Sequence, residues 1–171
     1  MKKPRIFTKE DGVTVGDLLH CGEDHLSAAK ALFSGSPTFY DSAGYLAHMG
    51  IELLLKSWLL EAAGKFSGIH RISDLWDVLM RSHGAPTLTE SESKLLAKLD
   101  QFERLRYPNI KEPTEVGTDD WEMINAFACK LRDLMPHSIE ILKTTDNLVR
   151  KSGRVLMKKR IKSGGEPSVV S

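Results

Sequence analysis

Between Ser36 and Gly64 the chain reads SPTFYDSAGYLAHMGIELLLKSWLLEAAG. At the helical period of about 100° per residue, Asp41, Tyr45, His48, Glu52 and Lys56 fall in one narrow arc, and the rest of the circumference is apolar or small. A helix so sparingly polar is central in a fold and wetted along a single stripe. Its ends are marked. Ser36 reads as the N-cap, Pro37 suits the first helical position because its missing N–H has no helical partner there, and Gly64 sits where a left-handed C-terminal residue belongs. The stripe is either a thin solvent face or the wall of a groove. Glu52 precedes Lys56 by four positions, the spacing of an exposed ion pair worth a few tenths of a kcal/mol.

The other elements follow by the same periodicity. Residues 1–13 form a basic, extended N-terminal extension. A first helix starts at Thr14 or Val15 and runs to Phe33, with Leu18, Leu19, Leu26, Ala29 and Phe33 toward the core, before a Ser34-Gly35-Ser36 turn. After the central helix, Lys65 to Ile72 read as a loop. Ser73 then caps a short third helix with Leu75, Trp76, Leu79 and Met80 on its apolar face, ended by Gly84-Ala85-Pro86. Thr89 and Glu92 have capping-box spacing for a fourth helix with Leu95, Leu99 and Phe102 inward, and Glu90, Lys94, Lys98 and Asp100 in water. Arg106-Tyr107-Pro108-Asn109 stops it, because a residue before proline is pushed out of α geometry. Asp119 with Glu122 repeats the box for a fifth helix carrying Trp121, Ile124, Ala128 and Leu131 on one seam. Pro136 interrupts that helix with a kink or short break, after which Ile139, Leu142 and Leu148 continue the pattern to Ser152-Gly153. With no strand alternation, internal repeat or low-complexity tract, the fold class is all-α: an antiparallel bundle of five or six helices with a long central second helix, over residues 14–150.

Length and charge narrow this picture. A chain of 171 residues with 41% hydrophobic residues buries one sizeable core. A net charge of +1 gives no global attraction to nucleic acid or acidic membranes, so such a partner must be met by a local patch. Residues 151–171 offer one, with Arg154, Lys158, Lys159, Arg160 and Lys162 among Val155, Leu156, Met157 and Ile161; they read as a basic, flexible tail or as a short amphipathic helix on an acidic partner. Cys21 and Cys129 have neither metal-site nor disulfide-scaffold spacing and read as buried small hydrophobes of a reducing cytoplasm. No secretory signal begins the chain and the longest apolar run is broken by charges, so a soluble cytoplasmic protein with no membrane partner is expected. Walker-type, Gly-x-Gly-x-x-Gly, Gly-x-Ser-x-Gly and His-Glu-x-x-His motifs are all missing, and no cofactor or metal is expected. His70 and His83 border loops without ligand spacing and read as capping or surface residues.

Three pieces, in this order, resemble the HEPN family, in its Arg-Tyr-Pro type. They are Ala43-Gly44-Tyr45 followed by Ile51-Glu52-Leu53-Leu54-Leu55-Lys56, then Gly68-Ile69-His70 leading to Leu75, and then Arg106-Tyr107-Pro108-Asn109. The resemblance implies a helical bundle that often dimerises, association with nucleotidyltransferases or with toxin–antitoxin and defence systems, and in many members metal-independent RNA cleavage. Cleaving members use an Arg, a polar residue and a His after four intervening positions. Arg132-Asp133-Leu134-Met135-Pro136-His137 has that spacing, with Ile139 where such members commonly carry a Tyr. Arg would neutralise the scissile phosphate and His would move the 2′-OH proton. On a straight helix five positions set the two about 140° apart, so they converge only through a kink or across a dimer.

Three functions are therefore expected of such a chain. The first is a nucleotide-, nucleic-acid- or partner-binding module that uses Tyr45, His48, Glu52 and Lys56 with Arg104, Arg106 and Tyr107, where the guanidiniums hold phosphate and the ring stacks on a base. It would act as a homodimer, with RNA, a nucleotide, a nucleotidyltransferase or an antitoxin as partner. The second is an endoribonuclease using Arg132 and His137, and the third a structural scaffold.

Overall fold

A computed structural model of the chain describes residues 4–107 and 111–136. Pro108, Asn109, His137, Ile139, Leu142 and Leu148 lie outside the described residues, as does the basic tail. Among the described residues the architecture is all-α. It comprises α1 (Val15–Phe33), α2 (Tyr40–Ala63), α3 (Ile72–His83), α4 (Glu90–Phe102) and α5 (Thr118–Leu134), with two short strands, β1 (Ile6–Thr8) and β2 (Lys65–Ser67). Helix α2 touches all four other helices, as its apolar girth predicts, and buries Ile51, Leu54, Leu55, Leu59 and Leu60.

The closest helix pair, α1 and α2, meets through two glycines. A Cβ on Gly50 would stand 2.7 Å from Leu26 Cγ and 3.0 Å from the Gly22 carbonyl oxygen, and one on Gly22 would stand 3.1 Å from the Gly50 oxygen. Small residues at the crossing let the backbones approach. On the far side, Trp58 packs edge-on to Trp76 at 6.3 Å, and Trp76 packs against Phe127 of α5 at 5.5 Å.

Several boundaries differ from expectation, each for a physical reason. The N-terminal extension is not merely a lead-in: β1 pairs antiparallel with β2, placing Phe7 opposite Phe66 with their rings stacked at 5.3 Å. Strands of three residues are too short for alternation to register in sequence. Ser36 caps a 3₁₀ turn, Pro37–Phe39, and α2 proper starts at Tyr40; its other end is as expected, with Gly64 at φ 68°. Helix α3 is capped from a distance. The carboxylate of Asp100 on α4 accepts from the Ile72 and Ser73 backbone N–H groups at 2.5 and 3.4 Å, and also from the Ser73 hydroxyl, so Ser73 lies inside the helix and Asp100 out of water. Helix α4 opens with the expected box, Thr89 N–H donating to Glu92 at 2.8 Å. The cap of helix α5 lies two residues before the expected one: Gly117 is its N-cap, and the Gly117 N–H donates to Asp120 at 2.8 Å. Asp120 is buried and also accepts from Lys98, which is half-buried where a fully solvated side chain was expected. Helix α5 ends at Leu134, and Met135 before Pro136 has ψ 145°.

Cys21 and Cys129 are exposed, not buried. The inward positions of α5 are Ile124, Phe127, Ala128 and Leu131, and Cys129 falls about 140° from Ile124 around that helix.

Candidate functional site

The polar stripe of α2 passes from surface to interior along the helix. Asp41 is exposed and Tyr45 half-buried, while His48, Glu52 and Lys56 are 0%, 2% and 5% exposed. Neither expected setting, solvent face or groove wall, holds for those last three, because α4, β2 and the segment before α3 cover them. His48 Nδ1 lies 2.8 Å from the Leu99 carbonyl of α4; that oxygen only accepts, so Nδ1 carries the hydrogen and donates it. Glu52 Oε1 accepts from Lys56 Nζ at 2.5 Å and lies 3.1 Å from His70 Nδ1. His48 Nε2 is 3.3 Å from Glu52 Oε2, within ion-pair range but without an aligned hydrogen bond. The Lys56 ammonium also lies 5.6 Å from the Phe66 ring centre. Burial pushes the Glu52 carboxyl upward, but His48, Lys56 and His70 outweigh it and hold the group below its ordinary range. The cluster reaches solvent through His70, whose side chain is 57% exposed. It ties α2 to the β2–α3 connection, and a ligand has no direct access to the Glu52 carboxylate.

A second arrangement is open. After α4 a 3₁₀ turn, Glu103–Arg106, leads to Tyr107, whose N–H donates to the Arg104 carbonyl at 2.9 Å. Tyr107 is 72% exposed, with the Arg106 guanidinium 5.4 Å from its ring centre. Arg104 pairs with Glu112 at 3.0 Å, both side chains projecting into water. The corner has a firm base. A Cβ on Gly44 would stand 2.9 Å from Leu105, 3.3 Å from Phe102 and 3.3 Å from Val116, so the turn and the segment leading to α5 both rest on α2 at its glycine. Leu105 and Phe102 thus pack one residue before Tyr45, while Arg104 and Arg106 are exposed.

Arg132 is held elsewhere. Its Nε and Nη2 donate to the two Glu23 oxygens of α1, each at 2.8 Å, and its Nη1 is 3.7 Å from Cys129 Sγ. That carboxylate pushes the Arg132 pKa up, against the opposing effect of burial. His137, its expected partner, lies outside the described residues. Sequence reasoning missed Glu23 and Glu112 altogether. His70 stands in a motif that the resemblance had flagged, which was the available signal for its pairing with Glu52.

Other surfaces are less suited to chemistry. A shallow cleft of about 200 Å³ between α4 and α5 is lined by Ser91, Glu92, Leu95, Met123, Ala126 and Phe127, none of them an expected site residue. Among the described residues no group of three or more His, Cys, Asp or Glu side chains is placed to hold a metal ion, and no helix is long and apolar enough to cross a membrane.

The first motif piece, in α2, contacts the other two at separate points: Gly44 supports the turn that carries Arg106 and Tyr107, and Glu52 binds His70. No curated protein and no solved structure matches the chain. The family model for the HEPN domain matches residues 15–138, which run from the start of α1 past the end of α5. The chain therefore belongs to the HEPN family, a family of nucleotide- and RNA-related helical modules.

Proposed function

We propose that this protein binds nucleotides or single-stranded RNA at the corner formed by Arg104, Arg106 and Tyr107. The observation that carries the reading is the exposure of Tyr107, at 72%, beside a guanidinium on a turn seated firmly on α2. An exposed ring stacks on any base, at about 1–3 kcal/mol each, and Arg supplies a planar fork for phosphate. A site built on a rigid element loses little ordering entropy when the ligand arrives. His48, Glu52 and Lys56 hold the scaffold beneath this site and do not touch the ligand. The module acts as a homodimer, within a toxin–antitoxin or defence system, with a nucleotidyltransferase or an antitoxin as protein partner. Titrating nucleotides and single-stranded RNA against the wild type and Arg106→Ala tests the binding role. Weaker binding by the variant supports it, and failure of the wild type to bind any of these ligands leaves only the protein-partner version.

A second reading is a metal-independent endoribonuclease using Arg132 and His137. The family match extends to residue 138 and so includes this pair, and Glu23 fixes the Arg132 guanidinium in one orientation. Incubation with cellular RNA without metal, beside His137→Ala, decides it: no cleavage, or equal cleavage by both proteins, removes this reading.

A further inference from the structure

We propose that the Glu112 carboxylate occupies the phosphate subsite of the Arg104–Tyr107 corner, and that the ligand is a nucleoside phosphate whose phosphate displaces it. This rests on the binding reading above and assigns the parts of that site. Arg104 and Tyr107 are joined by the Tyr107 N–H to Arg104 carbonyl bond of a 3₁₀ turn. That bond closes the turn, so the backbones of Arg104 and Tyr107 meet at one corner where both side chains are exposed. The Arg104 Nη1 donates to Glu112 Oε2 at 3.0 Å, while Arg106 lies over the Tyr107 ring at 5.4 Å. A carboxylate and a phosphate oxygen accept from the same N–H edge of a guanidinium, so Glu112 stands where a phosphate would. A base then has the ring and a phosphate has Arg104, each already occupied by a group of matching chemistry from the chain itself.

The exchange is easy by design of the pair. The Arg104 and Glu112 side chains are 63% and 67% exposed, so water screens their attraction and holding both long side chains in one geometry costs entropy. A phosphate brings the same charge or more, together with the stacking of its base. Glu112 stays close because its segment is anchored at Val116 on Gly44. The carboxylate therefore competes with every incoming phosphate, and sets a threshold that a ligand lacking a base does not readily pass.

A double-mutant cycle tests this. Fluorescence anisotropy with a labelled single-stranded RNA of mixed sequence, competed by AMP and by adenosine, is read for wild type, Glu112→Gln, Arg104→Gln and the double variant, with circular dichroism to verify folding. Glu112→Gln should tighten RNA or AMP by about two- to fivefold and leave adenosine unchanged, with the gain shrinking at high salt. Arg104→Gln should weaken binding, and adding Glu112→Gln to it should then change nothing. Competition by AMP alone identifies a free nucleotide as the ligand, and binding of RNA without competition by AMP identifies a strand. The proposal is overturned if Glu112→Gln has no effect or weakens binding, if its gain persists in the Arg104→Gln background as a general charge effect would, or if wild type binds neither probe. Tyr107→Ala separates the two levels. If it weakens binding while the cycle is additive, the corner stands and the subsite fails; if it leaves binding intact, the corner reading itself is wrong.

Discussion

Glu52→Gln separates a buried network from a surface ion pair. The carboxylate is 2% exposed and has Lys56 at 2.5 Å, His70 at 3.1 Å and His48 at 3.3 Å around it. Glutamine keeps the shape and one acceptor, but it removes the charge that compensates Lys56, whose side chain is 6% exposed. Breaking a buried pair by removing one partner costs about 3–5 kcal/mol, because the remaining charge is left without compensation. For a chain of 171 residues that corresponds to a midpoint lowered by about 6–20 °C. An exposed pair four residues apart would lose only about 0.3–0.5 kcal/mol, or roughly 1–2 °C. Urea denaturation followed by circular dichroism, extrapolated linearly, measures the difference. Replacing both partners, as Glu52→Leu with Lys56→Met, should recover most of the loss, since well-packed apolar residues substitute for a buried ion pair at little cost. A loss below about 1 kcal/mol for Glu52→Gln alone would refute the buried network and return the pair to the surface.

Further predictions concern pH, packing and capping. Glu52 has a folded pKa below its ordinary value of 4.5, so its stabilisation is fully present above that value and is lost as pH falls through the lower folded one. Acid titration of the wild type should therefore show a loss of stability below about pH 4.5 that is smaller in Glu52→Gln; parallel curves would contradict the assignment. Gly50→Ala forces a Cβ to within 2.7 Å of Leu26, and thermal melts should show a net loss despite the better helix propensity of Ala, since overpacking costs about 1–3 kcal/mol. Asp100→Ala removes the distant cap of α3 and should cost about 0.5–2 kcal/mol, with faster amide exchange at Ile72 and Ser73 than elsewhere in the helix.

Local signals were legible in the sequence and distant partners were not. Gly64, Gly84 and the Thr89–Glu92 box mark chain-local geometry, and each stands where its residue type requires. Asp100 caps a helix that starts 28 residues earlier, and Glu23 binds Arg132 across 109 residues; no periodicity carries such pairings. Projection put His48, Glu52 and Lys56 on one face of α2, but it gives angle without depth. It cannot tell a face covered by α4 and β2 from one left in water. The cysteines make the opposite case, because the period of α5 placed Cys129 away from its apolar seam and residue type alone suggested burial. At the candidate site Arg104, Arg106 and Tyr107 were singled out by their adjacency at the end of the fourth helix. Their support at Gly44 and the competition from Glu112 required the fold.

The most direct test of the account is a titration of the isotopically labelled chain with single-stranded RNA, followed residue by residue through its backbone amide resonances. Binding at the proposed corner should move the signals of Arg104 to Tyr107 and of Glu112 to Val116 first and furthest, with those of His48, Glu52 and Lys56 nearly still. Shifts concentrated around Glu23 and Arg132 instead, or no shifts at saturating RNA, would contradict it.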